Sequence, residues 1–303
     1  MTSPPAPPTW LAQALDTAPA SRRTTVAGRS IHWLEWGDPQ APTTALLHGG
    51  GAHAWWWAPG AALLARDLHV VALALSGPGA SDHRDAYRVA DWVAEVVAVL
   101  DAADTAGRPL VVGHSMTGIV AAMAAAAHGH RLGGAVAVDT PLAVPDPAAI
   151  GDAETVFAAP KRYASEDEAR RRFRLLPDQP VLHAALLDHV AARSAVRRAD
   201  GWAWKFDPRV FERQLPDRPA DVGAVLSAAR CPIAVVVAER SVVVPLDQRR
   251  RLRAMAAGGP TDPVLVTVPG GHHHLMFDRP RELAAVLAER AAARSAVAAE
   301  PAG

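Results

Sequence analysis

Along this chain, short continuous apolar runs alternate with stretches in which apolar residues recur every three or four positions. The runs Ser30 to Trp36, Thr43 to Leu47, His69 to Leu75, Leu110 to Val112, Ala135 to Val138, Ile233 to Val237 and Val264 to Val268 are mostly bounded by glycine, proline or polar residues, which predicts strands buried on both faces. Between them lie helical patterns. Asp91 is placed to cap a helix that puts Trp92, Val96 and Val99 or Leu100 on one face, with Gly107 beyond its end. An alanine-rich helix is predicted from Ile119 to His128. Alternation of this kind predicts an α/β fold, a mostly parallel central sheet with helices on both faces.

The rhythm stops between 141 and 230, where arginine- and alanine-rich helical patterns, prolines and the cluster Trp202, Trp204, Phe206 and Phe211 replace it. Ninety residues are too many for a structureless loop, so this stretch predicts a helical cap inserted over the carboxyl edge of the sheet. The core is then 25–140 and 231–295. The proline- and alanine-rich residues 1–24 are expected to be a flexible segment, and the tail beyond Arg290 a fraying last helix.

Charge narrows the function classes. The 31 basic and 31 acidic residues cancel, and Arg170 to Arg172 and Arg249 to Arg251 read as solvated helix faces, so nucleic acid is not expected as a partner. Cys231 is the only cysteine; no intrachain disulfide is possible, and its place before Pro232 suggests a buried, inert thiol. No stretch reaches about 18 uninterrupted apolar residues, and the N-terminus lacks a basic and then apolar leader pattern. The expectation is a cytoplasmic protein without membrane contact, monomeric or homodimeric.

The chemistry centres on Gly113-His114-Ser115-Met116-Thr117-Gly118, where an apolar run ends and a helical pattern begins. A strand-turn-helix of this kind holds a serine hydroxyl clear of its own backbone above a helix N-terminus. A serine hydroxyl is a poor nucleophile at neutral pH and needs a base; imidazole is the side chain best poised for that. Three further landmarks follow a set order: Leu46-Leu47-His48-Gly49-Gly50-Gly51, Leu75-Ser76-Gly77-Pro78-Gly79-Ala80-Ser81, and Pro269 to Pro280 with its triplet His272-His273-His274. Together these resemble the α/β-hydrolase fold superfamily, and the resemblance runs from about Ser30 to Arg290.

The resemblance implies a serine hydrolase with Ser115 as nucleophile and His273 as base, His272 being next in line. The acid is harder to place. The common family position holds Ser241, which cannot supply a negative charge, and some relatives take the acid after the sixth strand, where this chain has Asp139. Asp139 is the first choice and Glu239 the rival. The oxyanion hole implied is the Met116 amide with that of Gly50, Gly51 being close behind. Thr117 stands where the usual elbow has its last glycine, and its β-branched side chain must be accommodated in a tight turn. Gly51, Trp56, Trp202 and Trp204 are candidate substrate contacts, with Trp55 and Trp57 alongside, which points to a small hydrophobic substrate.

No cofactor is implied. A metal bound by the histidine triplet is not expected, since three consecutive loop residues project in diverging directions. The activity expected is hydrolysis of a carboxylic ester or lactone through an acyl-enzyme. A carbon-carbon hydrolase would use the same serine and histidine, and a non-catalytic ligand receptor is the reading from another class.

Overall fold

A computed structural model describes residues 6–141, 161–211, 217–256 and 263–298. Its centre is an eight-stranded sheet in the order β1-β2-β4-β3-β5-β6-β9-β10. The strands are β1 (Ala20–Val26), β2 (Arg29–Trp36), β3 (Thr43–Leu47), β4 (His69–Ala74), β5 (Leu110–His114), β6 (Gly134–Val138), β9 (Ile233–Ala238) and β10 (Val264–Val268). The β1/β2 and β2/β4 pairs are antiparallel and all others parallel. Strands β3 to β6 and β9 are buried along their whole length, as their uninterrupted apolar runs require.

Alternate residues of one strand serve opposite faces. Leu46, Val112, Val136 and Val236 pack into a core with Leu11 of α1 (Thr9–Asp16), Leu64 of α2 (Ala58–Leu64) and Leu287 of the long C-terminal helix (Pro280–Ala298). Leu47, Val111, Ala135 and Val235 turn to the other side, against Trp92 and Val96 of α3 (Val89–Ala102) and Ile119 and Val120 of α4 (Gly118–His128). The protein is thus three layers thick, and the carboxyl ends of its parallel strands share one rim.

Three expectations change. The described part of 1–24 forms α1 and the edge strand β1 rather than a loose segment. Helix α3 begins at Val89, two residues before Asp91, because the Asp217 carboxylate accepts from both the Val89 and Ala90 amides at 2.8 Å. The cap is not purely helical. After α5 (Glu166–Arg172), capped by the Ser165 hydroxyl, and α6 (Ala184–Ser194), it contains a hairpin of β7 (Ala195–Arg198) and β8 (Gly201–Trp204). Helix α7 (Val222–Ser227) then packs against α4 of the core. Residues 142–160 of the expected cap lie outside the described residues.

Candidate active site

Strand β5 delivers Ser115 to the rim with φ of 55°, a left-handed backbone that a non-glycine residue adopts only under constraint. The constraint is the tight packing of the turn. A Cβ on Gly113 would collide with the backbone carbonyl of Thr117, and one on Gly118 with the Thr140 side chain, so both positions exclude any larger residue. Thr117 is accommodated by turning its hydroxyl back onto the carbonyls of His114 and Leu47, each at 3.1 Å.

The neighbouring strand β6 ends in Asp139, also left-handed at φ 45° and fully buried. Its Oδ2 accepts from Nδ1 of His273 at 2.7 Å. Its Oδ1 accepts the Ala238 amide at 2.9 Å. The second proton donor on Oδ2 is the Ser241 hydroxyl, at 2.5 Å. Ser241 Oγ in turn accepts the amides of Val243 and Val244, both at 3.1 Å, so its lone pairs are taken and its proton points at Asp139. In sequence Ser241 marks the absence of an acid; in the structure its hydroxyl donates to the Asp139 carboxylate instead. Ser241→Ala is expected to lower kcat about tenfold and to cost roughly 1–3 kcal/mol of stability, since it leaves two buried amides without an acceptor. Steady-state kinetics and urea unfolding read the two effects, and Ser241→Thr should restore much of both.

The rivals in sequence are elsewhere. Glu239 is exposed and accepts the Gly270 amide at 2.6 Å. His272 pairs through Nδ1 and its amide with Asp278, both at 2.8 Å. His114, next to Ser115, donates from Nε2 to the His273 carbonyl at 2.9 Å and ties the elbow to the histidine loop. Ser115 itself is half-buried, and among the described residues its hydroxyl has no hydrogen-bond partner.

Beside the elbow runs the glycine loop. A Cβ on Gly49 would sit 2.8 Å from the His114 Nδ1 and 3.5 Å from the Ser115 Cβ. One on Gly50 would lie 3.0 Å from the Phe211 ring and 3.7 Å from the Met116 sulfur, so Gly50 and Met116 are brought together. Beyond Gly51 a cavity of about 230 Å³ opens between cap and core, walled by Trp56, Tyr163, Phe173, Trp204 and several cations. Ser115 and His273 are not on its wall; Gly51 marks where it meets the loop. Of the tryptophan candidates, Trp56 and Trp204 line it, while Trp202 packs with Tyr163 and Ala195 on the hairpin. Trp57 is core, and Trp55 stacks under the Arg193 guanidinium at 4.4 Å.

The histidines diverge less than their sequence suggests. His114, His273 and His274 each bring one ring nitrogen within 4.8 Å of the others. Burial drives His114 and His274 well below the ordinary histidine value, with the neighbouring imidazoles adding to it, so both are neutral. Any ion gathered by this group would occupy the ring that Asp139 orients.

Residues 45–286 match the alpha/beta hydrolase family, and the chain belongs to it. No curated protein matches the sequence. Among solved structures it is similar to a thioesterase domain from the curacin biosynthetic pathway (21% identity, TM-score 0.74, covering 89% of this chain and 99% of that one). It is also similar to E-2-(acetamidomethylene)succinate hydrolase (19%, TM-score 0.75, 89% and 98%). A carboxylesterase of the ammonia-oxidizing thaumarchaeon Nitrososphaera gargenis is a third (18%, TM-score 0.69, 92% and 100%). At these identities the likeness is one of fold.

Among the described residues no helix is long and apolar enough to cross a membrane.

Proposed function

We propose that this protein is a serine hydrolase that cleaves a carboxylic ester or lactone through an acyl-enzyme. The observation that carries the reading is the 2.7 Å contact between His273 Nδ1 and Asp139, at the same rim where the left-handed turn lifts Ser115. The Asp139 carboxylate is an acceptor only, so Nδ1 carries the proton and Nε2 is left as the base. Nε2 takes the proton of Ser115 as its oxygen attacks the carbonyl, then passes it to the leaving alcohol; water repeats the sequence on the acyl-enzyme. The amides of Gly50 and Met116 receive the oxyanion. Nucleophile–base hydrogen bonds of this kind tighten when substrate binds, so the Ser115–His273 contact is one that the Michaelis complex completes. Neighbours described as a thioesterase and a carboxylesterase agree with acyl transfer.

A ligand receptor would need neither the strained serine nor the buried Asp139–His273 pair. The test is a fluorophosphonate probe. Labelling at one equivalent per chain, abolished by Ser115→Ala, is expected; a folded protein that stays unlabelled and leaves 4-nitrophenyl esters intact would overturn the assignment.

A further inference from the structure

The cavity between cap and core gathers positive charge on its described wall. Among the described residues its wall carries Lys161, Arg172, Arg174 and Lys205, and no aspartate or glutamate. Elsewhere the guanidiniums meet carboxylates, as in Arg84–Glu95, Arg209–Asp207 and Arg251–Asp221. Among the described residues none of the four cavity cations has an ion pair; Arg174 bonds only the carbonyls of Arg171 and Phe173.

Lys205 is the informative member. It is half-buried at the end of β8, and its backbone is fixed on both sides: its amide donates to the Ser194 carbonyl at 2.8 Å, and its carbonyl accepts the Gly79 amide at 2.5 Å. Its ammonium has no partner among the described residues. Burial acts most strongly on the ammonium and lowers its proton affinity; Glu166 on α5 works against that and Arg193 on α6 with it, the carboxylate more strongly. On the same wall Trp56 is 7% exposed, and its buried indole N–H has no acceptor among the described residues. His53 there is held neutral by burial, with the Lys205 and Arg193 charges adding to it. Partly desolvated donors cost free energy when unmatched, and low-dielectric walls strengthen the attraction between opposite charges they enclose.

We infer that this cavity receives an oxyanion, a carboxylate or a phosphate, at the far end of the substrate's acyl chain, with Lys205 and Arg172 as its partners. The inference rests on the serine-hydrolase reading and departs from the expectation of a small hydrophobic substrate. The acyl part is the one that stays bound through both chemical steps, so a contact there holds the intermediate as well as the ester.

The test compares 4-nitrophenyl hexanoate with the 4-nitrophenyl monoester of adipic acid and with 4-nitrophenyl 6-(phosphonooxy)hexanoate, on the full chain and on Lys205→Met and Arg172→Gln. At low ionic strength the better anionic ester is expected to exceed hexanoate in kcat/KM by about tenfold or more, an advantage that salt erodes. Lys205→Met should abolish most of that advantage, read as the ratio of the anionic-ester kcat/KM to the hexanoate kcat/KM. Whichever anion is preferred identifies the group. Anionic esters no better than hexanoate, or a preference intact in both variants, would overturn the anion site and leave the role of Ser115 standing. Failure of every ester together with failure of fluorophosphonate labelling would instead strike the hydrolase reading. In that event calorimetric titration of adipate and inorganic phosphate into Ser115→Ala, with and without Lys205→Met, still decides the site: Lys205-dependent binding supports it, and none overturns it.

Discussion

Asp139→Asn is expected to lower kcat by about four orders of magnitude with KM little changed, the size of effect seen when a triad carboxylate is replaced by its amide. The reason lies in what surrounds the carboxylate. Its two oxygens accept from three donors: the Ala238 amide, the Ser241 hydroxyl and the His273 ring. An asparagine supplies one oxygen and two N–H bonds. If the oxygen stays on Ala238, the amide nitrogen faces Ser241 and His273, and the imidazole must turn an unprotonated Nδ1 toward it. The proton then sits on Nε2, which can no longer accept from Ser115. Glu239→Gln, which touches only the Gly270 amide on the surface, is expected to stay within about threefold of the parent, as surface changes away from such networks usually do. Steady-state kinetics on one 4-nitrophenyl ester, with circular dichroism to show both variants folded, separates the two carboxylates. A large loss in Glu239→Gln and none in Asp139→Asn would move the acid.

How far the sequence carries depends on whether a feature is written locally. Thr43–Leu47 and Val264–Val268 fall where their apolar runs end, and Asp139 is legible because a parallel sheet puts the strand after the nucleophile strand beside it. Strand β1 is not legible. Ala-Ser-Arg-Arg-Thr-Thr-Val shows no buried face, and its extended form comes from pairing with β2, with Ala20 opposite Glu35. The cap hairpin is hidden for a similar reason, since Ala-Val-Arg-Arg alternates with nothing until Gly-Trp-Ala-Trp lies against it. The start of α3 depends on Asp217, 128 residues away in the chain, which no reading of nearby caps can anticipate. Ser241 shows the deeper limit: a residue type foretells which charges are possible, whereas its use as a donor to Asp139 follows only from where Val243 and Val244 spend their amides.

Acidification from pH 7 to 5 is expected to destabilise the fold steeply, by on the order of 2–4 kcal/mol per pH unit below about 6.5. Burial holds His48 at about 4 and drives His53, His114 and His274 well below the ordinary 6.5, while His32 and His189, less deeply placed, are lowered to about 4. In the unfolded chain each regains its ordinary affinity. Between pH 6.5 and 4 the unfolded state therefore binds more protons than the native one, stability rises with pH, and it is lost as pH falls through that window. Glu95 and Asp278 act in the opposite sense, because burial raises both carboxyls and the native state then keeps their protons longer; they reduce the slope without reversing it. Urea unfolding at half-unit steps from pH 7.5 to 5 measures the net proton count directly. A flat profile would mean that these rings are solvated in solution. His114→Asn should flatten the slope by about one proton, roughly 1.4 kcal/mol per pH unit, since its buried imidazole is the one packed between the elbow and the His273 loop.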